Sequence, residues 1–259
     1  MAELTYQDRR GKIEAYFDRT AVQAWARLTS DAPLGRIRSS VRAGRDRMRE
    51  TLLGWLPADL RGLRILDAGC GTGALAVEAA RRGASVLAID LSPTLVDLAR
   101  DRLPIDLIAH PSGGSIDFRS GDMLDAALGE FDYVVGMDSL IHYETADAVR
   151  VLAGLAQRTR RAVLFTYAPS NPALMAFRAV GRLFPRSDRA PWIEPVAQKS
   201  LYRQIAAEPR LQGFAPDRTL RISSGFYTSQ ALELRRPGGN AALPPSLIPA
   251  GDGRREAAS

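Results

Sequence analysis

LRILDAGCGTGALAVEAARRG, Leu63 to Gly83, decides the fold. Ile65, Leu66 and Asp67 end a buried strand, being apolar and bounded by turn residues. Gly69, Gly71 and Gly73 punctuate a tight loop, and Ala74 to Arg82 are strong helix formers. Strand, glycine-rich turn and helix in that order open a nucleotide-binding βαβ unit. The spacing then selects the ligand. A GxGxxG run would cradle a pyrophosphate at a helix N-terminus. Here the run is Gly69-x-Gly71-x-Gly73 behind an acid at Asp67, and a carboxylate beside the loop would repel a pyrophosphate. It suits a cationic, zwitterionic ligand such as S-adenosylmethionine (SAM). SVLAID ends a second strand at Asp90, placed to accept hydrogen bonds from a ribose, with Leu91 next in line. A Rossmann-type fold serving NAD is the competing reading.

Working outward, 259 residues suffice for one α/β domain with appendages. The formal net charge is +6, carried nearly all by arginine, which favours anionic partners. Cys70 is the single cysteine, which excludes an intramolecular disulfide and favours a reducing, cytoplasmic location. Its place between glycines reads as a small side chain in a crowded cofactor turn rather than a nucleophile. The N-terminus lacks an apolar signal region, and no run reaches the roughly 18 apolar residues of a spanning helix.

Residues 1–61 read as a helical arm or lid: Tyr6 to Leu28, a break at Pro33, then Leu34 to Leu56. Arg36, Arg38, Arg42, Arg45, Arg47 and Arg49 form a basic run, a solvated face from which one or two side chains could meet a ligand carboxylate. The domain proper is expected over 62–236. Ser92 caps a helix with Pro93 at its first position. HPSGGS (110–115) is a turn, and a third strand starts at Ile116 and leads to Asp122 and Met123, an acid for an adenine amino group and a side chain for the purine face. FDYVVGMDSL (131–140) is a fourth strand ending at Asp138, whose C-terminal edge faces the ligand crevice. His142 and Tyr143 follow at once; His110, the other histidine, sits in the Pro/Gly turn. Nucleic-acid amino-methyltransferases usually carry [DNS]PPY here, and Asp138-Ser139-Leu140-Ile141 lacks it, so no nucleic-acid partner is expected. A helix (146–159), a fifth strand (161–169), a cap insertion (170–198), a last helix (200–211) and a closing hairpin (219–236) complete the domain; 237–259 reads as a disordered tail. In the cap, Phe177 and its apolar neighbours are interleaved with Arg178 and Arg182 and followed by Arg186 and Arg189. Such a segment suits a large, flat, apolar ligand bearing carboxylates, or an anionic membrane interface.

DxGxGTG followed by an acid ending the next strand resembles the class I SAM-dependent methyltransferases, which implies a Rossmann-like seven-stranded sheet with helices on both faces. YFDRTAVQAWARL (16–28), IRSSVRAGRD (37–46), DAGCGTG (67–73), GMDSLIHY (136–143), LFPRSDR (183–189) and SGFYTSQALE (224–233) together resemble the magnesium-protoporphyrin IX methyltransferases of (bacterio)chlorophyll synthesis. The resemblance covers about residues 10–236. It implies methyl transfer from SAM to a propionate of Mg-protoporphyrin IX, with Mg²⁺ present only within the porphyrin, and contact with the porphyrin-binding subunit of magnesium chelatase. One departure stands out: oxygenic members tend to have tyrosine four residues after the arm tryptophan, where this chain has Thr29. Tyr16 is then the nearby aromatic, entered with His142 as a catalytic candidate. His142 would orient the propionate or ligate its Mg²⁺, although Mg²⁺ prefers oxygen. Tyr143, Phe177, Arg178, Arg182, Arg186 and Arg189 are the expected substrate contacts, and Asp67, Gly69, Cys70, Gly71, Gly73, Asp90, Leu91, Asp122, Met123 and Asp138 the expected SAM contacts. A methyltransferase of another small-molecule acid and a non-catalytic porphyrin carrier are the alternatives.

Overall fold

A computed structural model describes Gly11 and residues 35–108, 113–170 and 193–238. Seven strands form one sheet: β1 (Arg64–Ala68), β2 (Ser85–Asp90), β3 (Ser115–Ser120), β4 (Phe131–Gly136), β5 (Thr159–Tyr167), β6 (Ala215–Ser224) and β7 (Tyr227–Arg235). Their order is β3-β2-β1-β4-β5-β7-β6. The strands β1 to β5 pair in parallel, whereas β7 runs antiparallel between β5 and β6. The chain winds outward from β1 to β3 and then returns to β4 on the other side. That reversal opens a crevice beyond the ends of β1 and β4, where open α/β sheets take ligands.

The central strands are apolar on both faces because helices cover both. Among the described residues, α1 (Arg36–Trp55), α2 (Ala74–Arg81) and α3 (Pro93–Asp101) bury Met48, Leu52, Leu75, Ala79 and Val96 with Ile65 and Leu164. A one-turn α4 (Ile105–Ile108) follows. On the opposite face α5 (Thr145–Ala156) and α6 (Gln198–Ala207) bury Val149, Leu152, Leu201 and Ile205 with Leu66, Val163 and Phe165. Alternate residues of β1 and β5 thus serve opposite cores, the period-two rule of a strand.

Several boundaries differ from expectation. The fourth strand stops at Gly136, short of Asp138, because Asp138 takes φ +54° and turns its N–H onto the Thr166 hydroxyl at 2.7 Å. The last helix begins at Gln198 and ends at Ala207, where Pro209 removes a donor and a separate 3-10 turn follows. The cap region therefore closes before Gln198, and β6 starts at Ala215 rather than 219. The second helix of the expected arm, α1, packs onto the domain. Leu52, Leu53 and Leu56 are buried in its core, and Arg82 donates to the Leu53 carbonyl at 2.6 Å. Arg218 lies 5.3 Å from the Trp55 ring centroid and donates to that residue's carbonyl. Apart from Gly11, the segment Tyr6 to Leu28 lies outside the described residues, as do Pro33, His110, most of the cap and residues 239–259, and the tail prediction with them.

Candidate active site

The loop after β1 is built by backbone bonds and missing side chains. Gly69 and Cys70 both donate to the Ile89 carbonyl, at 2.8 and 3.0 Å, which pins the loop across the end of β2. Gly69 has φ +85°, and a Cβ there would lie 2.4 Å from Cβ of Ser139. Gly73, at φ +78°, is the N-cap of α2, and a Cβ on it would press the Phe118 ring at 2.8 Å. Glycine is therefore required on both steric and conformational grounds. The Gly71 N–H donates to Asp90 Oδ2 at 2.8 Å, and the Ser92 N–H to Oδ1 at 3.0 Å. Asp90 thus ties the glycine loop to the start of α3, and each oxygen keeps a lone pair for a further donor.

Asp67 is 2% exposed, and its Oδ2 has no hydrogen-bond partner. Burial, followed by the neighbouring Asp90 carboxylate, pushes its pKa up to about 7. Asp90 is also raised by burial, against the pull of its backbone donors. Two carboxylates held in low dielectric beside the opening of a helix form a site suited to a cation. A ligand carrying positive charge would satisfy the orphaned oxygen and relieve the repulsion, which is the fit expected of SAM. Burial, then Asp67 and Asp90, raise the Cys70 thiol well above its usual range, which disfavours the nucleophilic thiolate. Leu91 is half-buried on the core. Gly121 donates to the Asp90 carbonyl at 2.9 Å and brings Asp122 and buried Met123 next to the end of β2. Asp122 Oδ1 accepts from the Leu124 N–H at 2.9 Å.

Beyond β4 the structure departs from the sequence reading. The Asp138 carboxylate, 4% exposed, is engaged within the protein rather than presented to a ligand. Arg45 of α1 donates to Oδ2 at 2.6 Å, and the Tyr227 hydroxyl lies 3.2 Å from both oxygens. Ser229 and Thr166 donate to Oδ1 at 3.2 and 3.1 Å. Four protein side chains thus converge on the carboxylate that the sequence places at the SAM site. Tyr143, the expected substrate contact, is 2% exposed and packs in the core. His142 is half-buried in the turn between Leu140 and Tyr143. Ser139 was not anticipated; its buried hydroxyl has no partner and stands against Gly69 and Gly136. Tyr16, Phe177, Arg178, Arg182, Arg186 and Arg189 lie outside the described residues. The roots of the cap are nevertheless defined. Val196 donates to Ala168 and Ser170 to Val196, while Glu194 donates to the Ile141 carbonyl at 2.8 Å. The insertion therefore leaves and rejoins the sheet against the turn that bears His142.

This geometry can be set beside known proteins. The magnesium-protoporphyrin O-methyltransferase of Rhodobacter capsulatus is 50% identical over 231 residues, covering 89% of this chain and 98% of that one. The chain belongs to the magnesium-protoporphyrin O-methyltransferase family. The family description "Magnesium-protoporphyrin IX methyltransferase C-terminus" matches residues 136–236, and a methyltransferase-domain description matches residues 65–162. The magnesium-protoporphyrin O-methyltransferase of Synechocystis is 30% identical, over 86% of this chain and 95% of its own. A crystal structure of magnesium protoporphyrin IX methyltransferase from Synechocystis PCC 6803 with bound SAH superposes with a TM-score of 0.75 at 28% identity. It covers 88% of this chain and 99% of that one.

Proposed function

We propose that this chain transfers a methyl group from SAM to a propionate carboxylate of Mg-protoporphyrin IX, yielding the monomethyl ester and S-adenosylhomocysteine. The observation that carries this reading is the orphaned, buried Asp67 carboxylate beside the Gly69–Gly73 loop, in a chain half identical to a named enzyme of that activity. When bound, SAM would supply a methyl group on a sulfonium, whose sulfur leaves as a neutral thioether as the acceptor carboxylate oxygen forms its bond to the methyl carbon. Asp67 would meet the ammonium, Asp90 the ribose hydroxyls, and Asp122 and Met123 the adenine edge and face.

A carboxylic acid ionises near pH 4–5, so the acceptor is already an anion at neutrality and needs no strong base. What the protein supplies is alignment of two oppositely charged groups and exclusion of water. His142, beside the root of the cap, is assigned to orient the propionate by a hydrogen bond. Arg178, Arg182, Arg186 and Arg189 are assigned to the second propionate, and Tyr16 joins His142 as a catalytic residue. Contact with the porphyrin-binding subunit of magnesium chelatase, and peripheral contact with the cytoplasmic side of a membrane, belong to the same proposal. The +6 net charge supports both, given a substrate that is greasy and anionic. Among the described residues no helix is long and apolar enough to cross a membrane.

The deciding experiment incubates the purified protein with SAM and Mg-protoporphyrin IX and separates the pigments. A monomethyl ester is expected, with none from the fully esterified porphyrin. Porphyrin binding without ester would overturn the reaction. An unchanged kcat/KM in His142→Asn would remove the role of that side chain.

A further inference from the structure

Arg45 and Asp138 lie 93 positions apart in sequence and form the part-buried ion pair of the active-site end. The acid is one of the strained points of the backbone. Among the described residues Asp138 is the one non-glycine with positive φ, at +54°. Asp enters this region more readily than most residues, but it stays there only where the surroundings hold it. Here they do so with four residues from three elements: Arg45 on α1, Thr166 on β5, and Tyr227 and Ser229 on β7. Both the backbone N–H and the carboxylate of Asp138 are fixed, the former at 2.7 Å and the latter by four donors. The donors are themselves held. The Tyr227 ring packs so tightly on α1 that a Cβ at Gly44 would lie 2.4 Å from it. Burial and the facing carboxylate raise the Tyr227 phenol far above its normal range, so it remains a donor throughout the working pH range.

This anchor sits at the first bend of the segment Met137 to Tyr143. Ser139, next in sequence, abuts the glycine loop, and the segment's far half is tied through the Ile141 carbonyl to Glu194 at the root of the cap. We propose that Arg45, Asp138 and Tyr227 are positioning residues for the methyl transfer: they fix the bend from which the turn carrying His142 is projected over the crevice. The inference rests on the methyltransferase reading, and its action through His142 rests on the orienting role assigned above. The acid that the sequence presented as a ligand is thus the fixed point that sets the acceptor side against the donor loop. Rotation of this bend would misplace the acceptor while leaving the Asp67 and Asp90 side of the crevice intact.

The test uses the full-length protein and three variants. Tyr227→Phe removes one donor and keeps the ring, Arg45→Lys keeps the charge without the guanidinium, and Asp138→Asn removes the charge. SAM affinity and stoichiometry are measured by calorimetry, and turnover is normalised to SAM-competent protein, so that partial unfolding does not enter. Tyr227→Phe and Asp138→Asn are expected to lower normalised kcat about tenfold or more with SAM affinity within twofold of wild type, and Arg45→Lys to fall between. A second measurement is the cycle of Tyr227→Phe with His142→Ala. If the network acts through His142, the double variant loses little more than His142→Ala alone. Unchanged normalised turnover, additive losses in the cycle, or weakening of SAM binding in proportion to kcat would each overturn the proposal. Should His142→Ala leave turnover unchanged, the orienting role fails by itself. The positioning claim is then decided by the kcat of Tyr227→Phe and Asp138→Asn at constant SAM affinity.

Discussion

Asp67 shows how one buried group links stability to ligand binding. Its folded pKa stands near 7, above the ordinary 3.8. A raised carboxyl pKa contributes stability in full below the unfolded value, and that stability is lost as pH rises through the folded one. The ligand-free protein should therefore lose stability between about pH 4 and 7 from this group. A cationic ligand favours the carboxylate, so SAM affinity should rise with pH over the same window, by up to about tenfold per unit below pH 7. Asp67→Asn abolishes both trends: at pH 8 the ligand-free variant should melt above wild type, with SAM affinity reduced at least about 100-fold. Melting curves from pH 5.5 to 8, with and without SAM, check this. A wild-type SAM affinity independent of pH below 7 would contradict it.

At the scale of elements, α1 carries two glycines that should respond in opposite directions. Alanine normally gains up to about 1 kcal/mol over glycine inside a helix. At Gly54 a Cβ would meet nothing within 4 Å, so Gly54→Ala should stabilise by about that amount. At Gly44 the same methyl would lie 2.4 Å from the Tyr227 ring. That ring is tethered at its hydroxyl by Asp138 and cannot swing away. Overpacking costs about 1–3 kcal/mol, which outweighs the helical gain, so Gly44→Ala should be net destabilising. Urea denaturation of both variants decides the point: a Gly44→Ala protein as stable as wild type would mean that α1 is not clamped on the hairpin. At the far end of β7, Glu233 is fully buried and held by Arg218 at 2.6 Å. Arg218→Met should destabilise the hairpin, by less than the 3–5 kcal/mol of a wholly buried pair, since the arginine is partly solvated and Arg235 also reaches the acid.

For the whole molecule, ligand linkage gives a simple readout. SAM at about 100 times its Kd should stabilise the fold by about 2.7 kcal/mol. For a chain of this size, that corresponds to a rise in Tm of about 5–10 °C. With SAM on the loops after β1 and β2, as proposed, hydrogen exchange should slow there and in β4, with little change at the β6–β7 edge. Uniform protection across the sheet would place the ligand elsewhere.

Much of this protein was decided locally. A strand, three glycines two apart and a helix occupy adjacent positions, so the strand–loop–helix turn through Asp67, Gly69, Gly71 and Gly73 was legible from short-range spacing, and the wound sheet followed from strands and helices in alternation. The GMDSLIHY segment shows where that legibility ends. Its apolar start reads as a strand running on to Asp138, and an acid at a strand end reads as a ligand. Only the tertiary structure shows that the strand stops at Gly136 and that Asp138 turns inward to Arg45, Tyr227, Ser229 and Thr166. Arg45 is one of six similar arginines in its run, and Tyr227 lies 89 residues from the acid it serves. Tyr143 likewise looked like a substrate contact beside His142 and is instead buried in the core. Helical and strand periods, and the spacing of a loop, are properties of neighbouring residues and can be read along the chain. The fate of a carboxylate depends on which distant donors the packed fold brings within about 3 Å of it, and that is set only when the sheet and α1 close together.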